Sequence, residues 1–143
     1  MTEIVFYSGV AEPTTFAVRL ATKLFEEGNR IRIATADATA TDAVDRLLWT
    51  HSQGAFVPHC RLSSAIAMDT PVWVDEAPEH PGEAAHAQVL INLVDTTPAY
   101  FARFQRVADI VGTGEAEVAA GRARFKGYKA GGYNVTHHDM TGR

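Results

Sequence analysis

One cysteine, Cys60, is all the thiol chemistry that 143 residues contain. That excludes an internal disulfide and any metal site built on several thiolates. Long hydrophobic runs are absent: nothing approaches the ~20 apolar residues of a membrane-spanning helix. The chain enters Ile4-Val5-Phe6-Tyr7 with no basic leader and no small-residue cleavage site, so the expected compartment is the cytoplasm. Glycine-rich phosphate loops are also missing. The turn after the first apolar run is Ser8-Gly9-Val10-Ala11-Glu12-Pro13, with neither G-x-G-x-x-G nor G-x-x-x-x-G-K-[ST]. A lone glycine followed by an acid frees too few backbone N–H groups for a pyrophosphate and repels it. No H-E-x-x-H or G-x-S-x-G occurs, and no D-x-D or paired Glu falls at the end of an expected strand. His59 beside Cys60 is not a nucleophile pair, because neighbours on an extended chain point apart. His51, His59 and His86 have no histidine four residues on, and His137-His138-Asp139 is read as an inert tail rather than a metal site. Neither a cofactor nor a catalytic constellation is expected.

What is present is an ordinary globular composition, 46% hydrophobic and 21% charged, at a length that makes one domain. The net charge of −4 is unevenly spread. From Gly121 onward stand five of the thirteen basic residues but one of the seventeen acids, Asp139. An acidic body is a poor non-specific DNA binder, whereas a local basic helix on such a body suits a small acidic partner segment.

Along the chain, apolar runs alternate with helical patterns. Strands are expected at 3–8, 30–35, 71–74, 88–93 and 106–111. Gly9 is expected to end the first, and Ile31 and Ile33 to alternate with Arg30 and Arg32 along the second. Helices are expected from Pro13 to about Glu27, from Ala38 to about Thr50 with Ala43, Leu47 and Leu48 inward, from Thr97 to about Phe104, and from Glu115 to about Ala130 before Gly131-Gly132. Residues 52–70 read as loop around a short Phe56-Val57 run, and 75–87 as the most mobile loop. The βαβα order predicts an α/β domain with a mostly parallel central sheet, spanning 1–135, and a flexible tail over 136–143.

Two stretches offer surfaces for partners. Leu47 to His59 gathers Trp49, Phe56, Val57 and Pro58, which are large and rigid and suit either a core or a protein-binding patch. In the last helix Arg122, Phe125, Lys126 and Lys129 share a face at i, i+3, i+4 and i+7, with Arg124 and Tyr128 as a second i, i+4 pair. That stripe is either a solvated face with Phe125 turned inward or a clamp for a carboxylate-bearing peptide.

Laid out in order, several segments carry a family resemblance: Phe6-Tyr7; Gly28-Asn29-Arg30-Ile31; Leu47-Leu48-Trp49; Phe56-Val57-Pro58-His59; Val89 to Leu93; Phe104 to Val111; and Arg122 to Lys129. Over essentially its whole length the chain resembles the chi-subunit family of bacterial DNA polymerase III. It departs from the family pattern at Cys60-Arg61-Leu62-Ser63-Ser64-Ala65, where a glycine-rich run is usual, and at Phe125, where tyrosine is common. The resemblance implies a non-catalytic adaptor with a Rossmann-like three-layer fold and no bound nucleotide, a monomer or a 1:1 heterodimer with the psi subunit. It implies psi contacts at Trp49, Phe56, Val57 and Pro58. It implies that Val111, Arg122, Phe125 and Lys126, with Tyr128 and Lys129 beside them, receive the acidic C-terminal tail of single-stranded DNA-binding protein, so that contact with DNA is indirect.

Two rivals from other classes stand beside this. A small α/β enzyme acting on a phosphate-containing ligand lacks its phosphate loop and its acid pair. Direct single-strand binding needs a row of stacking aromatics, for which Phe125, Tyr128 and Tyr133 are the candidates.

Overall fold

A computed structural model describes residues 2–51, 56–81 and 88–142. Seven strands form one sheet: β1 (Glu3–Val10), β2 (Ile31–Ala34), β3 (His59–Cys60), β4 (Val72–Asp75), β5 (Val89–Asn92), β6 (Arg106–Gly112) and β7 (Val135–Asp139). Their spatial order is β3-β4-β2-β5-β6-β1-β7, and every pairing is parallel. Helices α1 (Pro13–Glu26) and α2 (Ala38–Thr50) follow β1 and β2, and α3 (Glu115–Ala130) follows β6. Pro13 starts α1 at a position whose N–H has no helical acceptor, and Asp37 caps α2 by accepting from the Ala40 N–H at 2.8 Å. Glu115 and Glu117 in the first turn of α3 and Lys129 in its last match the helix dipole.

Two cores lie on opposite faces of the sheet, giving the expected three-layer Rossmann-like arrangement. Ile31, Ile33, Val74, Ile91, Ala108 and Ile110 pack beneath α1 and α2 with Ala17, Val18, Leu24, Val44 and Leu48. The alternate residues Ile4, Phe6, Leu90, Val107 and Val111 form the second core with Tyr128 of α3. In α2 the fully buried positions are Thr41, Val44 and Leu48, while Ala43 and Leu47 are half-buried.

Several expectations are corrected. The first half of the segment expected as a flexible tail is strand: β7 runs through the expected boundary at 135 and pairs with β1 from Ile4↔Val135 to Ser8↔Asp139. Its polar, mostly exposed residues gave no alternating apolar signal, but an edge strand needs only backbone pairing and is safer when polar. Gly9 lies inside β1 rather than ending it; its φ of +67° accommodates a register shift against β6 between Tyr7 and Val10. Arg32 does not face water: it is 0% exposed, because both faces of β2 are covered. Its guanidinium donates to the carbonyls of Glu79 (2.5 Å) and Ala77 (2.7 Å) and lies 4.2 Å from the centre of the Tyr100 ring. Burial lowers its pKa, an effect opposed by Tyr100 and Asp75. Arg103 donates to the carbonyls of His80 and Pro81, both at 2.9 Å, so 75–81 of the expected mobile loop is pinned; its remainder, with His86, lies outside the described residues. The helix expected at 97–104 is a single 3₁₀ turn at Phe101–Arg103, and the extended run expected at Phe56-Val57 pairs into the sheet two residues later, as β3.

Candidate functional site

Between α3 and the β1–β7 edge lies a cleft of about 620 Å³. Its position follows from topology. From β1 the chain crosses by α1 towards β2 on one side, and from neighbouring β6 it crosses by α3 to β7 on the other. The crevice at the carboxyl ends of two such strands is the ordinary ligand position of an open parallel sheet. Phe6, Ser8 and Gly9 of β1 line it, as do Val111 and Gly112 of β6, Val118, Gly121, Arg122 and Phe125 of α3, and His137 and Asp139 of β7. The helix approaches closely because residue 121 has no side chain: a Cβ there would lie 2.8 Å from Val111 Cγ1. Phe6 stands edge-on to Phe125 with ring centres 5.3 Å apart, which makes the floor apolar and rigid. A Cβ on Gly112 or Gly114 would meet the Glu117 carboxylate, so an acid rests where a phosphate would sit. This adds a structural obstacle to the missing phosphate loop.

The basic-aromatic stripe divides in two. Val111, Arg122 and Phe125 come together in the cleft, with Arg122 exposed at its rim. Lys126 and Lys129 are exposed on α3 beyond the lining, Lys129 Nζ 6.0 Å from the centre of the Phe125 ring. Tyr128 does not belong to this surface. It is 2% exposed and faces the sheet together with Arg124. Their common partner is Asp109 of β6, a fully buried carboxylate. Arg124 donates to it from Nε and Nη2 at 2.8–3.1 Å and from Nη1 to the Asp95 carbonyl at 2.6 Å. Tyr128 Oη donates to Asp109 at 3.2 Å, and Asn92 Nδ2, across the β5–β6 register, at 3.3 Å. Burial pushes Asp109 upward while these donors pull it back, and burial followed by the charge of Asp109 pushes the Tyr128 hydroxyl well above its ordinary value. Two residues of the helix are thus committed to holding it on the sheet.

At the opposite edge, α2 ends in an exposed apolar pair. Trp49 is 62% and Phe56 54% exposed, with ring centres 4.9 Å apart. The core alternative is thereby excluded for both. Val57, at 2% exposed, instead packs in the core beneath α1 and α2, so its side chain is withheld from any partner; Pro58 is half-buried. Extended residues 56 and 57 point to opposite sides, which separates their fates. Residues 52–55 lie outside the described residues. His59, unremarked as a support in the sequence, holds the patch from below: Nδ1 donates to the Val57 carbonyl at 2.7 Å, Nε2 meets Asp45 Oδ1 at 2.9 Å, and its ring lies edge-on to Trp49 at 5.3 Å.

The remaining sequence candidates disperse. His137 and His138 point to opposite faces of β7, the first towards Phe125 and the second stacked on Tyr7 at 5.4 Å, so they cannot share an ion. Among the described residues no three His, Cys, Asp or Glu side chains converge as metal ligands, and no helix is long and apolar enough to cross a membrane. Sequence reasoning missed Phe6, Ser8, His137 and Asp139 as lining residues, since their convergence depends on β7.

Residues 1–136 match the family described as DNA polymerase III chi subunit, HolC. Among curated proteins, a DNA polymerase III subunit chi from Pseudomonas aeruginosa is 30% identical over 98% of both chains. The subunits chi of Haemophilus influenzae and Escherichia coli are each 24% identical, covering 87% and 89% of this chain and 85% of each relative.

Proposed function

The chain belongs to the chi-subunit family of DNA polymerase III, a non-catalytic accessory subunit acting in DNA replication, and from that premise we propose that it is a two-sided adaptor in the bacterial cytoplasm. One side binds psi and through it the clamp loader; the other binds the acidic C-terminal tail of single-stranded DNA-binding protein, so its contact with DNA is indirect. The observation that carries this reading is the joining of Arg122, Phe125 and Val111 in one cleft, at the opposite end of the sheet from Trp49 and Phe56. In the proposed complex, Arg122 forks onto a carboxylate, Phe125 and Val111 wall the terminal Phe ring, and Lys126 and Lys129 attract the upstream aspartates. The psi contact centres on Trp49 and Phe56, with Pro58 at its margin.

A short peptide in such a cleft reaches roughly micromolar affinity, about −8 kcal/mol. Many tails on coated DNA raise the effective concentration, so weak single contacts hold the assembly while still exchanging. The test is fluorescence anisotropy of a labelled acidic peptide ending in Asp-Ile-Pro-Phe, with free or amidated C-terminus, at two salt concentrations. Micromolar binding that needs the free carboxylate and weakens with salt is expected. Absence of binding in both forms removes the tail-binding half of the proposal.

A further inference from the structure

We infer that β7 is the second wall of the peptide cleft, with the Ser8–His137 pair as a carboxylate anchor facing Arg122, and that the cleft sets the direction of the bound chain. The inference rests on the acidic-peptide reading and adds a subsite that the helix does not supply. Ser8 Oγ and His137 Nε2 are 2.6 Å apart, and both side chains line the cleft. They meet because β1 and β7 pair in parallel with Phe6 opposite His137, which puts Ser8 on the same face as Phe6 and diagonal to the histidine. The His137 ring stands edge-on to Phe125, centres 6.3 Å apart, across the apolar floor from the helix.

Proton counting gives the pair its use. If Ser8 donates to Nε2, the imidazole keeps Nδ1–H. If Nε2–H donates to Ser8, the serine keeps its O–H. In either tautomer one donor remains unspent by this bond, on a wall whose partner is a carboxylate-seeking arginine.

The charged groups around His137 order the peptide. Asp139 lines the cleft from the same strand, paired with Ser8 and accepting from Thr141 N–H (2.9 Å) and Oγ1 (2.6 Å). Glu117 lies against Gly112 and Gly114 at the start of α3. Both acids therefore stand at the carboxyl end of the strands. Arg122 follows along α3, then Lys126 and Lys129, progressively further from those acids. A chain with a terminal carboxylate between Arg122 and His137 avoids the acids only by running its upstream aspartates along the lysines.

The experiment titrates the labelled peptide, as free acid and as amide, into wild type, H137L, H137Q, D139N and R122A, with thermal melts confirming folding. H137L is expected to weaken the free acid about fivefold and to change the amide less than about twofold, since the lost bond is to the carboxylate. H137Q, which keeps an N–H donor, restores most of the loss. D139N, which keeps shape and removes the opposing charge, tightens the free acid by about twofold; it decides the matter should H137L not fold. If R122A binds the free acid about tenfold more weakly than wild type, while H137L and D139N both match wild type, the β7 subsite is wrong and the tail-binding reading stands. If wild type binds neither peptide, both fall.

Discussion

The two ends of the sheet use similar residues for opposite purposes. At the β3 end, Trp49 and Phe56 project outward, and the polar group beneath them, His59, donates to the Val57 carbonyl and lies 2.9 Å from Asp45. At the β7 end the aromatic Phe125 is half-buried and it is the cation Arg122 that is exposed. A projecting apolar pair needs a partner that brings its own pocket and excludes water over a wide area, as a resident subunit does. A concave apolar floor with a charged rim accepts a short chain end and releases it readily. Seven strands at about 4.8 Å spacing keep the two roughly 30 Å apart, so neither partner need displace the other.

The comparison is broken most severely from below the cleft. Asp109→Ala leaves Arg124 buried without its counter-charge; stability should fall by about 3–5 kcal/mol in a denaturant titration, with tail binding lost alongside. Trp49→Ala acts oppositely. Stability should change by less than about 0.5 kcal/mol because the ring is exposed, while psi affinity falls by about 2 kcal/mol or more; a large stability loss would make Trp49 structural. Arg122→Ala should reduce tail affinity about tenfold, about 1.4 kcal/mol, and leave psi binding and the melting temperature unchanged. Smallest at neutral pH is the effect of the buried phenols. The native state holds the Tyr128 proton above the ordinary value of 10.0, whereas the unfolded chain releases it there. The folded form then carries more protons, so stability should decline as pH rises past 10, visible as tyrosinate absorbance appearing together with unfolding.

Much of this was legible in the residues. The bounds of α3 follow from its acids at the start and its glycine pair at the end, and three of the residues singled out, Val111, Arg122 and Phe125, line one cleft. Tyr128 was misassigned because an i, i+4 pair with Arg124 looks the same from sequence whether it faces water or a carboxylate; the deciding partner, Asp109, is nineteen residues away on β6. The alternation of Ile31 and Ile33 with Arg30 and Arg32 does not reveal that both faces of β2 are covered, and the acceptors of Arg32 are loop carbonyls that carry no side-chain signal. Strand β7 escaped for a related reason: backbone pairing with β1 leaves no trace in a polar sequence, and with it went Ser8, His137 and Asp139.

The central claim is that the two ends of the sheet bind separate partners without interference. Its most direct test is calorimetric titration of the free-acid peptide into this protein already saturated with psi, compared with the protein alone. The account predicts one peptide per chain with the same Kd, within about twofold, in both. Competition, or a Kd shifted more than about tenfold by psi, would contradict two independent surfaces and return the cleft and the Trp49 patch to a single site.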